Sequence, residues 1–297
     1  MNPREKGFLL LTSHLGDPQR RVLSPAQMRL LAQRAGTLDG SDAQRELTRS
    51  DLVALGYSRE MSAGIVSMLE DEALLERYLR RGSMLECTPV TRVSPEYPRI
   101  LRKRLGLDSP GCLWIRGERE LLNAPGVSLV GSRELREENR AFAVAVGRQA
   151  AAQGLVLVSG NARGADRAAQ EACLAAGGKV ISIVADELSR QPKREGVLYV
   201  SEDGFDEPFS AQRALSRNRC IHALGQLVFV AQCTLGKGGT WDGTVKNLRF
   251  QWSPVAACRD GSQAMAQLEQ MGAYLIGREE LADFGGFSSR QLKFFDP

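Results

Sequence analysis

The sequence predicts an α/β fold, a doubly wound, largely parallel sheet of Rossmann type preceded by a small helical domain. Three observations predict it. Short apolar runs of strand length recur from residue 127 onward, helical stretches lie between several of them, and the segment ahead of them is patterned at helical spacing.

In chain order, residues 1–86 read as the helical N-terminal domain. "SPAQMRLLAQRAG" offers Ser24 as a helix cap and Pro25 in the first turn; "LTRSDLVALG" and "SREMSAGIVSMLEDEALLERYLRRG" continue the pattern, with Gly56 and Gly82 as stops. This domain could mediate self-association or simply pack on its neighbour. A connector follows, in which Pro89, Pro95, Pro98 and Pro110 break any long helix. Strands are then expected at Val127 to Val130, Leu155 to Val158, Val180 to Val184, Val197 to Val200, Leu227 to Ala231 and Val255 to Ala257. "ENRAFAVAVGRQAAAQG" and "ADRAAQEACLAAGG" supply crossover helices, and "GSQAMAQLEQMGAYLI" a closing helix with a final short strand. The second domain thus covers residues 87–280, and 281–297 form a tail.

Composition limits the function classes. No run approaches the roughly 18 consecutive apolar residues of a membrane span, and the first residues carry no cleavage signature, so a cytoplasmic protein without membrane association is expected. The six cysteines are scattered with no C-x-x-C pair and are expected to be buried free thiols. His14 and His222 are the only histidines, which leaves little for a His-based metal site or a Ser-His-Asp triad. No catalytic residue, metal or cofactor is expected. The net charge of +4 is unevenly placed. Between Ser210 and Phe250 lie Arg213, Arg217, Arg219, Lys237, Lys246 and Arg249 against Asp242 alone, just after the acidic "SEDGFDEP". Such asymmetry suggests an anionic partner at one face, although a solvated helix surface accounts for part of it.

In an open parallel sheet, ligands bind beyond the carboxyl ends of the strands. Three strand exits here are unusual: Gly131, Ser132 and Arg133; "SGNARGADR", with Ser159, Gly160 and Gly164 beside Arg163 and Arg167; and "CTLGKGGTWDG", where Gly236, Gly238 and Gly239 surround Lys237 before Thr240 opens a helix. Glycines let backbone N–H groups face an oxyanion, and a helix start adds its positive dipole end. A fourth element is "RALSRNRCIHALG", with Ser216 as an expected cap over Arg217, Asn218 and Arg219. Its guanidinium groups suit phosphate, or alternatively salt bridges to "EDGFDE". Trp241 and Phe209 are candidate stacking surfaces for bases, or core residues.

Taken in order, "YPRILRKRL", "VSLVGSR", "VSGNARGAD", "SRNRCIHALGQLVFVAQ" and "GKGGT" resemble the DprA/Smf family of DNA-processing proteins across roughly residues 90 to 280. The resemblance implies an extended Rossmann fold that binds single-stranded DNA in a basic pocket. It also implies help in loading a RecA-type recombinase during transformation, recombination or repair, and a homodimer. By position it makes Arg133, Arg163, Arg217, Arg219 and Lys237 the phosphate-contacting set, with Asn218 beside them. This chain departs from the family pattern with "ELREENRAF" after Arg133 and "GKGGTWDG" in the last loop. The winged-helix domain found at the end of many relatives is expected to be absent.

A small-nucleotide sensor or nucleotide hydrolase using the same loops is the rival reading. Phosphoribohydrolases similar to the lysine-decarboxylase-like family carry Gly-Gly-x-Gly-Thr-x-x-Glu, whereas here Gly243 stands three residues after Thr240 and Asp242 would have to serve. A dehydrogenase is disfavoured because G-x-G-x-x-G is missing from the first turn.

Overall fold

A computed structural model of the protein describes residues 1–38 and 47–287, so positions 288–297 of the expected tail lie outside the described residues. The chain forms two compact units, Met1–Tyr97 with Pro110–Leu113, and Pro98–Ser109 with the chain from Trp114 onward.

The first unit is helical: α1 (Pro3–Thr12), α2 (Pro25–Ala35), α3 (Arg49–Ala54), α4 (Arg59–Glu70) and α5 (Glu72–Met84), followed by a short strand, β1 (Thr88–Thr91). Local chemistry sets the helix starts. Asn2, Ser24, Thr48 and Ser58 each accept the backbone N–H three residues on, and proline occupies the first turn of α1 and α2. Leu11, Leu23, Leu31, Leu52 and Ile65 form its core. Tyr97, fully buried, closes the unit by donating its hydroxyl to the Pro110 carbonyl at 2.7 Å.

The second unit carries α6 (Arg99–Leu105), β2 (Cys112–Gly117), β3 (Gly126–Val130), α7 (Glu137–Ala152), β4 (Val156–Ser159), α8 (Ala165–Ala175), β5 (Val180–Ile183) and β6 (Val197–Ser201). It continues with α9 (Ala211–Ser216), α10 (Asn218–Leu224), β7 (Val228–Val230), α11 (Gly238–Phe250), β8 (Val255–Cys258), α12 (Gln263–Gln270) and β9 (Tyr274–Ile276). From β2 the sheet order is β2-β6-β5-β4-β3-β7-β8-β9. β2 is antiparallel to β6, and every pairing from β6 to β9 is parallel. Strands β3 to β8 are buried end to end, as strands covered by helices on both faces must be, whereas the edge strand β9 is only partly buried. In its core Phe229 meets Phe142 edge-to-face and packs at a tilt against Phe284.

The α/β class and the expected parallel strands are present; β1 and β2 come from the segment that reads in sequence as a connector. The chain starts at the sheet centre with β3, winds outward to β6 and returns on the other side as β7. The order therefore reverses between β3 and β7, where loops leave opposite ways and open a crevice. All six cysteines are free and buried. Among the described residues no helix is long and apolar enough to cross a membrane.

Candidate functional site

The exits of β3, β4 and β7 meet at the switch point. After β3, a Cβ on Gly131 would lie 2.4 Å from the Ala165 Cβ, so α8 packs against bare backbone there. Ser132 donates its N–H to the Gln232 carbonyl (2.9 Å), and its own carbonyl accepts the first helical N–H of α8, from Ala165 (3.2 Å). The Gln232 side chain holds the rest of the turn, accepting from the Arg136 N–H (3.0 Å) and donating to the Glu134 carbonyl (3.2 Å). Arg133 is left exposed and makes no hydrogen bond or ion pair among the described residues.

The β4–α8 loop fits onto this turn through one residue. Gly164 has φ +92°, and a Cβ there would stand 2.4 Å from the Ser132 carbonyl oxygen and 2.5 Å from that of Arg133. Only glycine allows both the conformation and the approach. The loop's N–H groups, expected to face a ligand oxyanion, are directed inward: those of Gly160 (3.1 Å) and Ala162 (3.2 Å) donate to the buried Asp166 carboxylate. Burial raises the Asp166 pKa, and the nearby Arg217 charge opposes the rise. Ser159, fully buried, accepts from Gln170 at 2.6 Å. Two arginines of this segment face solvent. Arg163 makes only an exposed pair with Glu134 at 3.3 Å, and the Arg167 guanidinium has no partner among the described residues.

The arginine cluster divides between two roles. Ser216, expected to cap a helix, is instead the last residue of α9; Ser210 caps that helix, and Arg217 forms the junction with α10. The reason is steric, because Arg217 turns beneath the sheet edge. It is only 8% exposed and donates to the Gly160 carbonyl at 3.0 Å. A Cβ on Gly160 would fall 1.7 Å from the Arg217 Nη1, so glycine at 160 makes room for the guanidinium. Arg219 is ion-paired to the buried Glu202 and donates to the Asp108 carbonyl at 2.9 Å, while Arg213 pairs with Asp203 at 2.8 Å. The acidic stretch after β6 thus takes up Arg213 and Arg219.

Asn218 ties this cluster to the third loop by donating to the Gly239 carbonyl at 3.1 Å. α11 opens at Gly238, two residues before Thr240, whose carbonyl accepts from Thr244 inside the helix at 2.7 Å. Lys237 is exposed, with no partner for its ammonium group among the described residues, and Trp241 is half-buried. Beneath α11, His222 is fully buried and bonded to Asn247 at 3.2 Å; burial and the Arg217 charge bring its pKa down to about 3. Gly243 packs on that ring, and Asp242 points to solvent.

The three predicted loops and the arginine helix are therefore one connected assembly. Its upper surface carries Arg133, Arg163, Arg167 and Lys237; its lower layer pairs Asp166, Arg217, Glu202 and Arg219 among themselves and with backbone. Gln232 and the inward role of Asp166 escape sequence reasoning, although a lone polar residue directly after an apolar strand is a signal for the first. Among the described residues no group of three or more His, Cys, Asp or Glu could hold a metal ion.

Comparison with known proteins identifies the family. DNA processing protein DprA of Streptococcus pneumoniae (strain ATCC BAA-255 / R6) is 32% identical over 192 residues, covering 60% of this chain and 68% of that protein. Protein Smf of Escherichia coli (strain K12) is 30% identical over 142 residues, 44% of this chain and 38% of that protein. In fold, the chain is similar to the X-ray structure of DprA from Streptococcus pneumoniae (TM-score 0.64, 24% identity, 86% of this chain and 95% of that one). It is also similar to DNA processing protein A from Helicobacter pylori, a structure described by its single-stranded DNA binding mode (TM-score 0.55, 23% identity, 71% and 98%). A family model described as DNA recombination-mediator protein A matches residues 88–281, and the chain belongs to that family, the DprA/Smf DNA-processing proteins.

Proposed function

We propose that the protein binds single-stranded DNA along the β3, β4 and β7 exits and presents it to a RecA-type recombinase, acting as a homodimer in transformation, recombination or repair. One observation carries the reading: exposed cations from three different loops converge on one sheet edge without internal partners, or, for Arg163, with only a solvent-exposed one. Family membership supports it, as do the DNA-processing names of the relatives.

Arg133, Arg163 and Lys237 are the phosphate-contacting residues in this reading, joined by Arg167. Arg217, Asn218 and Arg219 position the loops from beneath, with Trp241 beside Lys237 as a stacking surface. Gly131, Ser132, Ser159, Gly160, Gly164, Gly238, Gly239 and Thr240 shape the edge. The arrangement favours binding over turnover, because the hydrolase carboxylate position is the buried Gly243 and Asp242 faces away.

The test is fluorescence anisotropy with a labelled oligo(dT) and a matched duplex across a salt series. Tight binding that prefers the single strand, falls steeply with salt and is lost in an Arg133→Ala, Lys237→Ala double variant supports the reading. Absence of binding at low salt refutes it.

A further inference from the structure

One crossover of the parallel sheet differs from the rest. Every other connection between its parallel strands carries an α-helix, whereas residues 184–196, from β5 to β6, hold only a 3₁₀ turn at Leu188–Arg190. Crossovers between parallel strands are right-handed, which puts this connection on the face that α8 covers. A loop thus lies where a helix would, and between the loop, α8 and the sheet is a cavity of about 570 Å³. That volume falls within the roughly 300–1,000 Å³ typical of small-ligand sites. Neither Arg133 nor Lys237 lines it.

Strand register sets the floor. Ser182 pairs with Ser159 and with Tyr199, so the three side chains point to that face. Gln170 of α8 donates to both serines (2.6 and 3.4 Å), which leaves its carbonyl oxygen without a donor among the described residues. Tyr199 is only 5% exposed, yet its hydroxyl makes no hydrogen bond among the described residues. Burial raises its pKa, so the phenol stays a donor at neutral pH. Two polar side chains, each more than nine-tenths buried, thus line the cavity with hydrogen-bonding capacity unused. The loop above them is pinned: Arg116 donates to the Ser189 carbonyl at 2.8 Å and also to that of Gln191, whose side chain accepts from Asn161 at 3.2 Å.

The charges select a ligand class. Six charged side chains line the cavity, three of each sign. Arg190 and Glu187 pair with each other at 2.9 Å, which leaves Arg167 and Arg194 against Glu171 and Asp186, all four exposed and without ion-pair partners among the described residues. A phosphate or other pure anion loses to the carboxylates what it gains from the arginines, and a pure cation fares the same in reverse. A small molecule that carries both charges gains from each. The floor agrees, since the Gln170 oxygen can only accept, as an ammonium group requires, and the Tyr199 hydroxyl can donate to a carboxylate. Phe209 at the rim, 56% exposed with Pro192 and Pro208 nearby, offers a ring to an aromatic side chain. We propose that this cavity binds a free zwitterion, an aromatic α-amino acid, with its ammonium group at Asp186 and Gln170 and its carboxylate at Arg194 and Tyr199. The site goes beyond the single-strand reading and does not depend on it.

The experiment is isothermal titration calorimetry of the full chain with L-phenylalanine, L-tyrosine and L-tryptophan, without nucleic acid. At least one is expected to saturate a single site per chain with Kd at or below about 1 mM. Blocking its amino group as the N-acetyl form, or its carboxyl group as the amide, should each weaken binding about tenfold. Asp186→Asn should weaken the free amino acid about tenfold and remove the penalty for the N-acetyl form; Arg194→Gln should do the same for the amide. Both positions are exposed, and unchanged melting temperatures verify the fold. No saturable heat from any of the three at millimolar concentration, blocked forms that bind as tightly as the free one, or variants that bind as the wild type does would each overturn the site. Saturation by adenosine 5′-monophosphate with no response to the amino acids would overturn the ligand class. None of these results bears on strand binding, because Arg133 and Lys237 lie outside the cavity.

Discussion

Replacing Gly164 with alanine tests whether the strand exits form one unit. The substitution forces an L residue to φ +92° with ψ −123°, a region that costs on the order of 1–3 kcal/mol. It also drives a Cβ to 2.4 and 2.5 Å from two backbone carbonyl oxygens, which cannot swing aside as a side chain would. Relief requires the Arg133 turn to separate from α8, adding about 1–3 kcal/mol of overpacking. A total of about 4 kcal/mol corresponds to roughly 8–16 °C in the melting transition of a domain this size. Gly154→Ala is the matched control, because that residue is also left-handed (φ +66°) but has nothing within 4 Å of the added Cβ. It should cost only about 1 kcal/mol, roughly 2–4 °C. Scanning calorimetry of the two variants compares them directly. Melting of Gly164→Ala within about 3 °C of Gly154→Ala would show that the turn and α8 are not locked as described.

Three further outcomes are expected. Arg133→Ala and Lys237→Ala should each lower the salt slope of single-strand binding by about 0.7, measured by anisotropy, whereas Arg217→Ala should also lower the melting temperature because its partner is the Gly160 carbonyl. His222 takes up its proton near pH 6.5 when unfolded but near 3 when folded, so its contribution to stability is complete above pH 6.5 and is lost as pH falls toward 3. The loss reaches about 2 kcal/mol at pH 5, and denaturation curves should show a shallower pH dependence for His222→Gln. Arg104, whose pKa burial lowers to about 10, donates to the carbonyls closing α10 at Ala223 (3.0 Å) and Gly225 (2.6 Å). Arg104→Ala should destabilise the second unit by about 2–4 kcal/mol in urea unfolding, with Arg104→Lys restoring only part.

The strands from β3 to β8 are legible because each is buried on both faces and reads as an unbroken apolar run between turn residues. β2 is not, because Pro110 and Gly111 precede it and its partner is an antiparallel strand some 80 residues away, which no local pattern announces. At the site, glycines announce close approach, and Gly131, Gly160 and Gly164 all mark places where another element comes too near for a side chain. What approaches them is not written locally. Arg133 and Arg217 look alike in sequence, yet one is exposed and the other lies under Gly160, since the direction of a long side chain depends on elements far away in the chain.

The two layers of charge account for the arginine in the Arg133 turn. A nucleotide-binding loop holds phosphate with backbone N–H groups, which fixes one phosphate in one place. Here Asp166 already occupies the N–H groups of Gly160 and Ala162, so the loop is a shelf with those two backbone donors consumed. The Arg217 charge opposes the effect of burial on that carboxylate without cancelling it, and the Asp166 pKa stays raised. In the proposed reading, a phosphate arriving above is held by side chains on flexible stems, namely Arg133, Arg163, Arg167 and Lys237. Such contacts tolerate a shift of register along a polyanion and depend strongly on salt, the behaviour required of a surface that takes single strands of any sequence. A variant that frees the shelf, Asp166→Ala, would therefore lose order in the β4–α8 loop instead of gaining a tighter phosphate site, visible as faster amide exchange across residues 160–166 together with weaker strand binding.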